Sequence, residues 1–130
     1  FIANQPGSFW KALKWSAGFH LPILVTENGT EDAEDAFRRR YLVQHFHQVW
    51  RAVNLGVPVK GYFHWSLVDN FEWSQGWNLR FGLWGLDPKT QSRIRRGSVD
   101  LYAAICKENA LSSTAVSSFA PEVFPVLFPE

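Results

Sequence analysis

The stretch that most constrains this chain is GYFHWSLVDNFEW, Gly61 to Trp73. It begins as a strand: Gly61 to Trp65 follow a turn at Gly56 and Pro58 and are dominated by aromatic, β-favouring residues. Its character then changes. Ser66, Asp69, Asn70 and Glu72 alternate with Trp65, Phe71 and Trp73, so carboxylate and amide oxygens stand beside flat aromatic faces. A plain core has no use for that mixture, because every buried carboxylate must find a partner or bear a desolvation cost. A sugar site does use it, since hydroxyls need acceptors and donors while the C–H face of a pyranose packs on a ring. The bland alternative is a strand followed by an aromatic-rich surface turn.

Upstream, Pro22 to Thr26 is a short apolar run, as expected of a parallel strand covered on both faces, and it ends in Glu27-Asn28-Gly29. Between the two strands, Leu42, Phe46, Val49 and Val53 recur at helical spacing. Strand, helix and strand make a βαβ unit, whose ligands bind at the C-terminal ends of the strands. Glu27 at one such end and Trp65 and Glu72 at or past the other are expected to face one cleft.

LPILVTENG, GVPVKGYFHWSLVDNFEW and the following RFGL together resemble the C-terminal part of the family 1 glycoside hydrolases, the β-glucosidase and β-glycosidase family. The resemblance runs from about Pro22 to Leu111. It implies an α/β fold, the last two strands and flanking helices of a (β/α)8 TIM barrel. It implies that residues 1–111 form that part of the barrel, with residues 112–130 as a Ser/Pro-rich apolar tail outside the resemblance. It implies hydrolysis of β-glycosides with retention, through a covalent glycosyl–enzyme intermediate. The family's nucleophile, the Glu of T-E-N-G, falls on Glu27. Its inner sugar subsite falls on Trp65 as a stacking face, Glu72 as acceptor of sugar hydroxyls, Trp73 as indole donor and Phe81 as the closing residue. No metal or organic cofactor is implied.

The family's acid/base Glu belongs to an N-E-P motif that these 130 residues do not contain. A retaining glycosidase needs two carboxyls about 5–5.5 Å apart, and the resemblance assigns Glu72 to hydroxyl binding. The chain is therefore expected to supply part of an active site, completed by an N-terminal polypeptide. The absence of methionine and the opening at Phe1 fit a piece of a longer polypeptide, and a complete barrel typically needs about 250 residues. The rival readings are a noncatalytic carbohydrate-binding or structural fragment, and an unrelated barrel hydrolase with convergent motifs.

A net charge of +1 argues against nucleic acid or an anionic membrane as partner. No apolar run reaches the about 18 residues of a membrane span, and a cytoplasmic location is expected. The runs Arg38 to Arg40 and Arg93 to Arg96 read as solvated faces, and the acidic residues Glu31, Asp32, Glu34 and Asp35 as the opening of a helix. His45 and His47 read as packing or surface residues, and the single Cys106 as a buried apolar thiol. Ser8 and Ser98 are candidate helix caps. Trp10 and Trp15 read as packing residues, and Trp84 as either an outer-subsite or a packing residue. Ser112 to Ser118 reads as linker. The proline-punctuated apolar end is expected to lie against the barrel or a neighbouring subunit, which leaves a homo-oligomer open.

Overall fold

The computed structural model describes residues 3–129; Phe1, Ile2 and Glu130 lie outside the described residues. Helix α1 (Pro6–Ala17) starts with Pro6 in its first turn, where the missing N–H costs nothing, and Gln5 takes the cap position. Ser8 is not the cap; its hydroxyl bonds the Gln5 side chain at 3.1 Å. Strand β1 (Ile23–Asn28), helix α2 (Arg38–Asn54) and strand β2 (Val59–His64) follow. β1 and β2 pair in parallel, with Val25 opposite Tyr62 and Asn28 opposite His64, as the βαβ reading requires. A short hairpin, β3 (Trp84–Leu86) and β4 (Arg93–Arg95), is antiparallel and turns at Asp87, whose carboxylate accepts the N–H groups of Lys89 and Thr90. Helices α3 (Ser98–Glu108), α4 (Ser113–Phe119) and α5 (Phe124–Leu127) complete the order. No helix among the described residues is long and apolar enough to cross a membrane.

Two apolar clusters hold these elements. Leu13 of α1, Val25 of β1 and Ala52 of α2 form one, under Phe9, Val49 and Tyr62. The other joins Leu42 and Val43 of α2 to Leu83, Leu101, Ile105, Val116 and Val123. Both lie on the helix side of the β1–β2 sheet. On the other side Leu24 and Phe63 are 58% and 60% exposed. The expectation of strands covered on both faces is met on one face only, because the helices of this chain pack on one side of a two-stranded sheet.

Other expectations differ from the structure as well. Ser112 to Ser118 is not linker: Ser113–Phe119 is helical, the Ser112 hydroxyl accepts the Ala115 N–H, and Ala115, Val116 and Ala120 enter the second cluster. Arg38 is fully buried rather than solvated, with its guanidinium on the Asp35 carboxylate at 2.5 Å and on the carbonyls of Asp32 and Arg80. The acidic residues precede α2 as a separate turn. Asp32 reaches forward to accept the N–H groups of Phe37 and Arg38, and Asp35 accepts the N–H of Ser98, so the carboxylate and not the Ser98 hydroxyl closes the start of α3. Cys106 is exposed. Trp10 packs on the first cluster while Trp15 is 71% exposed, and Trp84 packs beside the second.

Candidate active site

The site begins where β1 ends. The Tyr62 hydroxyl donates to the Asn28 side-chain oxygen at 2.7 Å, and the Trp65 N–H donates to the Asn28 carbonyl at 3.1 Å, which ties the two strand ends together. Gly29 makes this approach feasible: a Cβ there would fall 1.7 Å from the Trp65 carbonyl oxygen. Glu27, one residue before Asn28, is exposed at this end of the sheet. The parallel register thus brings Glu27 and Trp65 to the same end of adjacent strands.

After Trp65 the chain runs beside residues 81–84. Ser66 donates its N–H to the Phe81 carbonyl at 3.1 Å, and Leu83 and Trp84 return theirs to Ser66 and Leu67 at 2.9 Å each. The peptide bond between Trp65 and Ser66 is cis. Asp69 fixes the far end of this run. Only 3% exposed, its carboxylate accepts the N–H of Gly82 at 2.8 Å and of Leu86 at 3.2 Å, and it is clasped by the Arg96 guanidinium. Gly82 is needed here as well, since a Cβ would lie 2.2 Å from the Asp69 nitrogen. The Arg96 guanidinium also donates to the carbonyls of Gly82 and Ala33, which corrects the solvated reading of this part of the second arginine run.

Held from below, the segment from Asn70 to Trp73 carries the polar groups. Glu72 accepts the Trp65 indole N–H at 3.0 Å and the Asn70 amide at 2.8 Å, both on Oε1. Trp65 is therefore more than a flat face, because its N–H is spent on Glu72. Trp73 is 84% exposed, and Phe81 is half-buried behind Ser66. Trp65 and Glu72 are joined directly, Phe81 is one backbone hydrogen bond from Ser66, and Glu27 precedes Asn28, whose carbonyl accepts the Trp65 N–H. Trp73 follows Glu72 in the chain, and its indole donates to no protein group among the described residues.

Two histidines lie beneath the site on the helix side. His64 donates Nε2–H to the Phe81 carbonyl at 3.3 Å, and burial, aided by the Arg38 charge, lowers its pKa to about 4. His45, stacked on Tyr41, shares a hydrogen bond with Asn4 and is likewise pushed down to about 4 by burial. Both are buried packing residues, which for His45 settles the choice between packing and surface left by the sequence. Among the described residues no group of three or more His, Cys, Asp or Glu could hold a metal ion. A cavity of about 370 Å³ on the helix side is lined by Phe46, Val49, Tyr62 and Ile105, contains no carboxylate and lies apart from Glu27. Asp69, Arg96 and Arg38 were not legible as site supports, since Asp69 and Arg96 meet only across the hairpin and Arg38 also reaches the carbonyl of Arg80, far along the chain.

Residues 6–111 match the family described as Glycosyl hydrolase family 1. A beta-galactosidase of Sulfolobus acidocaldarius is 46% identical over 99 residues, 76% of this chain and 20% of that protein. Beta-glucosidase A of Thermotoga maritima is 41% identical over 115 residues, 81% of this chain and 26% of that protein. Among solved structures, the beta-glycosidase of the hyperthermophile Thermosphaera aggregans superposes with a TM-score of 0.83 at 42% identity, covering 85% of this chain and 23% of that one. The chain thus spans between a fifth and about a quarter of the length of these relatives.

Proposed function

The chain belongs to glycosyl hydrolase family 1 and is a fragment of that family's TIM-barrel β-glycosidase fold, and from this we propose that it is the C-terminal portion of a retaining β-glycosidase. In this reading β1 and β2 are the last two barrel strands, residues 1–111 belong to the barrel, and residues 112–130 form a tail whose helix α4 packs on α2 and α3. The observation that carries the proposal is the parallel pairing that sets Glu27 and the Trp65–Glu72 pair at one end of the sheet.

Glu27, ionised and exposed, attacks the anomeric carbon and forms a glycosyl ester as the aglycone departs. A carboxylic acid from the N-terminal portion protonates the leaving oxygen, then as carboxylate takes a proton from the water that cleaves the ester. Glu72 accepts hydrogen bonds from hydroxyls on the far side of the sugar, the Trp65 ring packs on its C–H face, Trp73 donates its indole N–H, and Phe81 closes the subsite. The substrate is a β-glycoside, and the partner is the polypeptide that completes the barrel.

The test is Glu27→Gln in the enzyme assembled with its N-terminal portion. The amide has the same shape and is a far poorer nucleophile, so kcat is expected to fall by more than about a hundredfold. A 2-fluoroglycoside with a good leaving group is expected to leave its mass on the peptide containing Glu27. An adduct found only elsewhere, or a smaller loss, would remove Glu27 from this role.

A further inference from the structure

Asn70 stands between two groups that the proposed function treats separately. Its Oδ1 lies 3.1 Å from the Ser66 hydroxyl, and its Nδ2 donates to Glu72 Oε1 at 2.8 Å. The orientation of the amide is fixed chemically, since an ionised carboxylate can only accept and must face the NH2 end. Ser66 is itself buried, and its single hydroxyl proton is shared between Asn70 Oδ1 and the Val68 carbonyl, which lies 2.8 Å away. The Trp65 indole supplies a second donor to the same Oε1 at 3.0 Å. Two neutral donors therefore converge on one oxygen of Glu72, while Oε2 has no hydrogen bond among the described residues.

We infer that Asn70 is a positioning and specificity-determining residue, which with Trp65 clamps Oε1 of Glu72 and leaves Oε2 to meet sugar hydroxyls in one fixed direction. The inference rests on the reading of Glu72 as the hydroxyl acceptor and adds what holds it. A free carboxylate would rotate about its last bond and serve equatorial and axial hydroxyls alike. A clamped one presents a single set of lone pairs, so it discriminates between sugars that differ at the hydroxyls it touches.

The experiment measures kcat/KM for 4-nitrophenyl β-glucoside, β-galactoside and β-fucoside in the enzyme that carries these residues with the rest of its barrel, for Glu72→Ala, Asn70→Ala and Asn70→Asp. Hydrogen bonds to a charged group are strong enough that Asn70→Ala is expected to lose about tenfold or more on the preferred sugar. The ratio between sugars is expected to shift in the same direction as in Glu72→Ala. Asn70→Asp keeps the shape and the contact with Ser66 but sets a second carboxylate against Glu72. It is expected to be worse than Asn70→Ala at neutral pH, and to recover relative to it as pH falls and one shared proton restores a donor. A merely structural Asn70 predicts the reverse order, with the isosteric Asp milder than Ala, and a uniform loss on all three sugars. That result overturns the inference, as does a fully active Asn70→Ala. If Asn70→Ala does not fold, the order is read from Asn70→Asp and Asn70→Ser. If Glu72→Ala itself leaves the ratio unchanged, the reading of Glu72 fails first; if Glu72→Ala shifts it and the Asn70 variants do not, only the clamp fails.

Discussion

Asp69 and Arg96 form a two-point ion pair in the floor of the site, with Nη1 2.8 Å from Oδ1 and Nη2 3.1 Å from Oδ2. The pair joins the segment that bears Asn70 and Glu72 to the end of the β3–β4 hairpin. With the Gly82 and Leu86 N–H groups, it satisfies a carboxylate that is almost wholly buried. The segment that bears Asn70 and Glu72 is thus braced by a second set of charges beside it.

Breaking this pair from one side leaves a buried charge without its main partner. Arg96→Met is expected to cost about 3–5 kcal/mol, toward the lower value because Arg80 stands 3.7 Å from the same carboxylate. Arg96→Lys is expected to fall between, since an ammonium keeps the charge and loses the planar fork. Thermal unfolding of the assembled enzyme checks this. A loss below about 1 kcal/mol for Arg96→Met would mean that the brace is not structural.

Acid sensitivity follows from the two buried histidines. In each, Nδ1 is buried with no partner among the described residues, so a second proton there gains no acceptor. Both pKa values are lowered from 6.5 to about 4, so the folded chain binds fewer protons than the unfolded chain below the unfolded value. Their contribution is complete above about pH 6.5 and is lost as pH falls toward about 4, by on the order of 2–3 kcal/mol for each residue. His45→Gln keeps a donor for Asn4 and does not titrate. Its melting temperature is expected to fall less steeply than that of the parent between those pH values, and parallel curves would show that His45 is not a source of the acid loss.

What the sequence made legible was whatever depends on short range. The apolar run ending in Glu27, the aromatic run ending in Trp65 and the helix between them specify β1, α2 and β2 by period and length alone. Burial of charge did not yield to the same reading. Arg38 and Arg96 sit in arginine runs that look solvated: Asp69 meets Arg96 only when the hairpin folds back, and Arg38 meets the Arg80 carbonyl only when that segment returns to it. Asp35 serves Arg38 three residues away and Ser98 across the chain, and no local pattern encodes the second contact. At the tail, serine content outweighed a real signal: Ala115, Val116 and Ala120 recur at helical spacing behind Ser112. The candidate site residues stood out as a motif, while the direction in which Glu72 is held was not legible, because it depends on side-chain geometry between Trp65 and Asn70.

That tail carries a stability prediction. Val116 is fully buried against the cluster of Leu42, Val43 and Leu83, so Val116→Ala is expected to cost about 2 kcal/mol through lost burial and the cavity left behind. Ser112→Ala removes the cap of α4 and is expected to cost about 1 kcal/mol. Ending the chain at Leu111 is expected to exceed both, since it uncovers the face of α2 that bears Leu42 and Val43. Thermal denaturation of the assembled enzyme reads all three, and an unchanged midpoint on truncation would exclude the tail from the core.

Among the described residues β1 and β2 pair only with each other, so each keeps one edge of unpaired N–H and C=O groups. The face away from the helices presents Leu24 and Phe63 to solvent, with Leu21 and Leu67 exposed near its two ends. Parallel strands of this kind are normally covered on both faces, and an apolar edge left open invites association. Residues 1–130 expressed alone are therefore expected to aggregate or to exchange their β1 and β2 amides rapidly, and to show no β-glucosidase activity. Co-expression with a polypeptide that supplies the preceding barrel strands and an N-E-P carboxylate is expected to restore solubility, protect those amides and produce hydrolysis blocked by Glu27→Gln. A soluble, cooperatively folding and catalytically active 130-residue monomer would overturn both the barrel placement and the need for a second carboxylate from outside the chain.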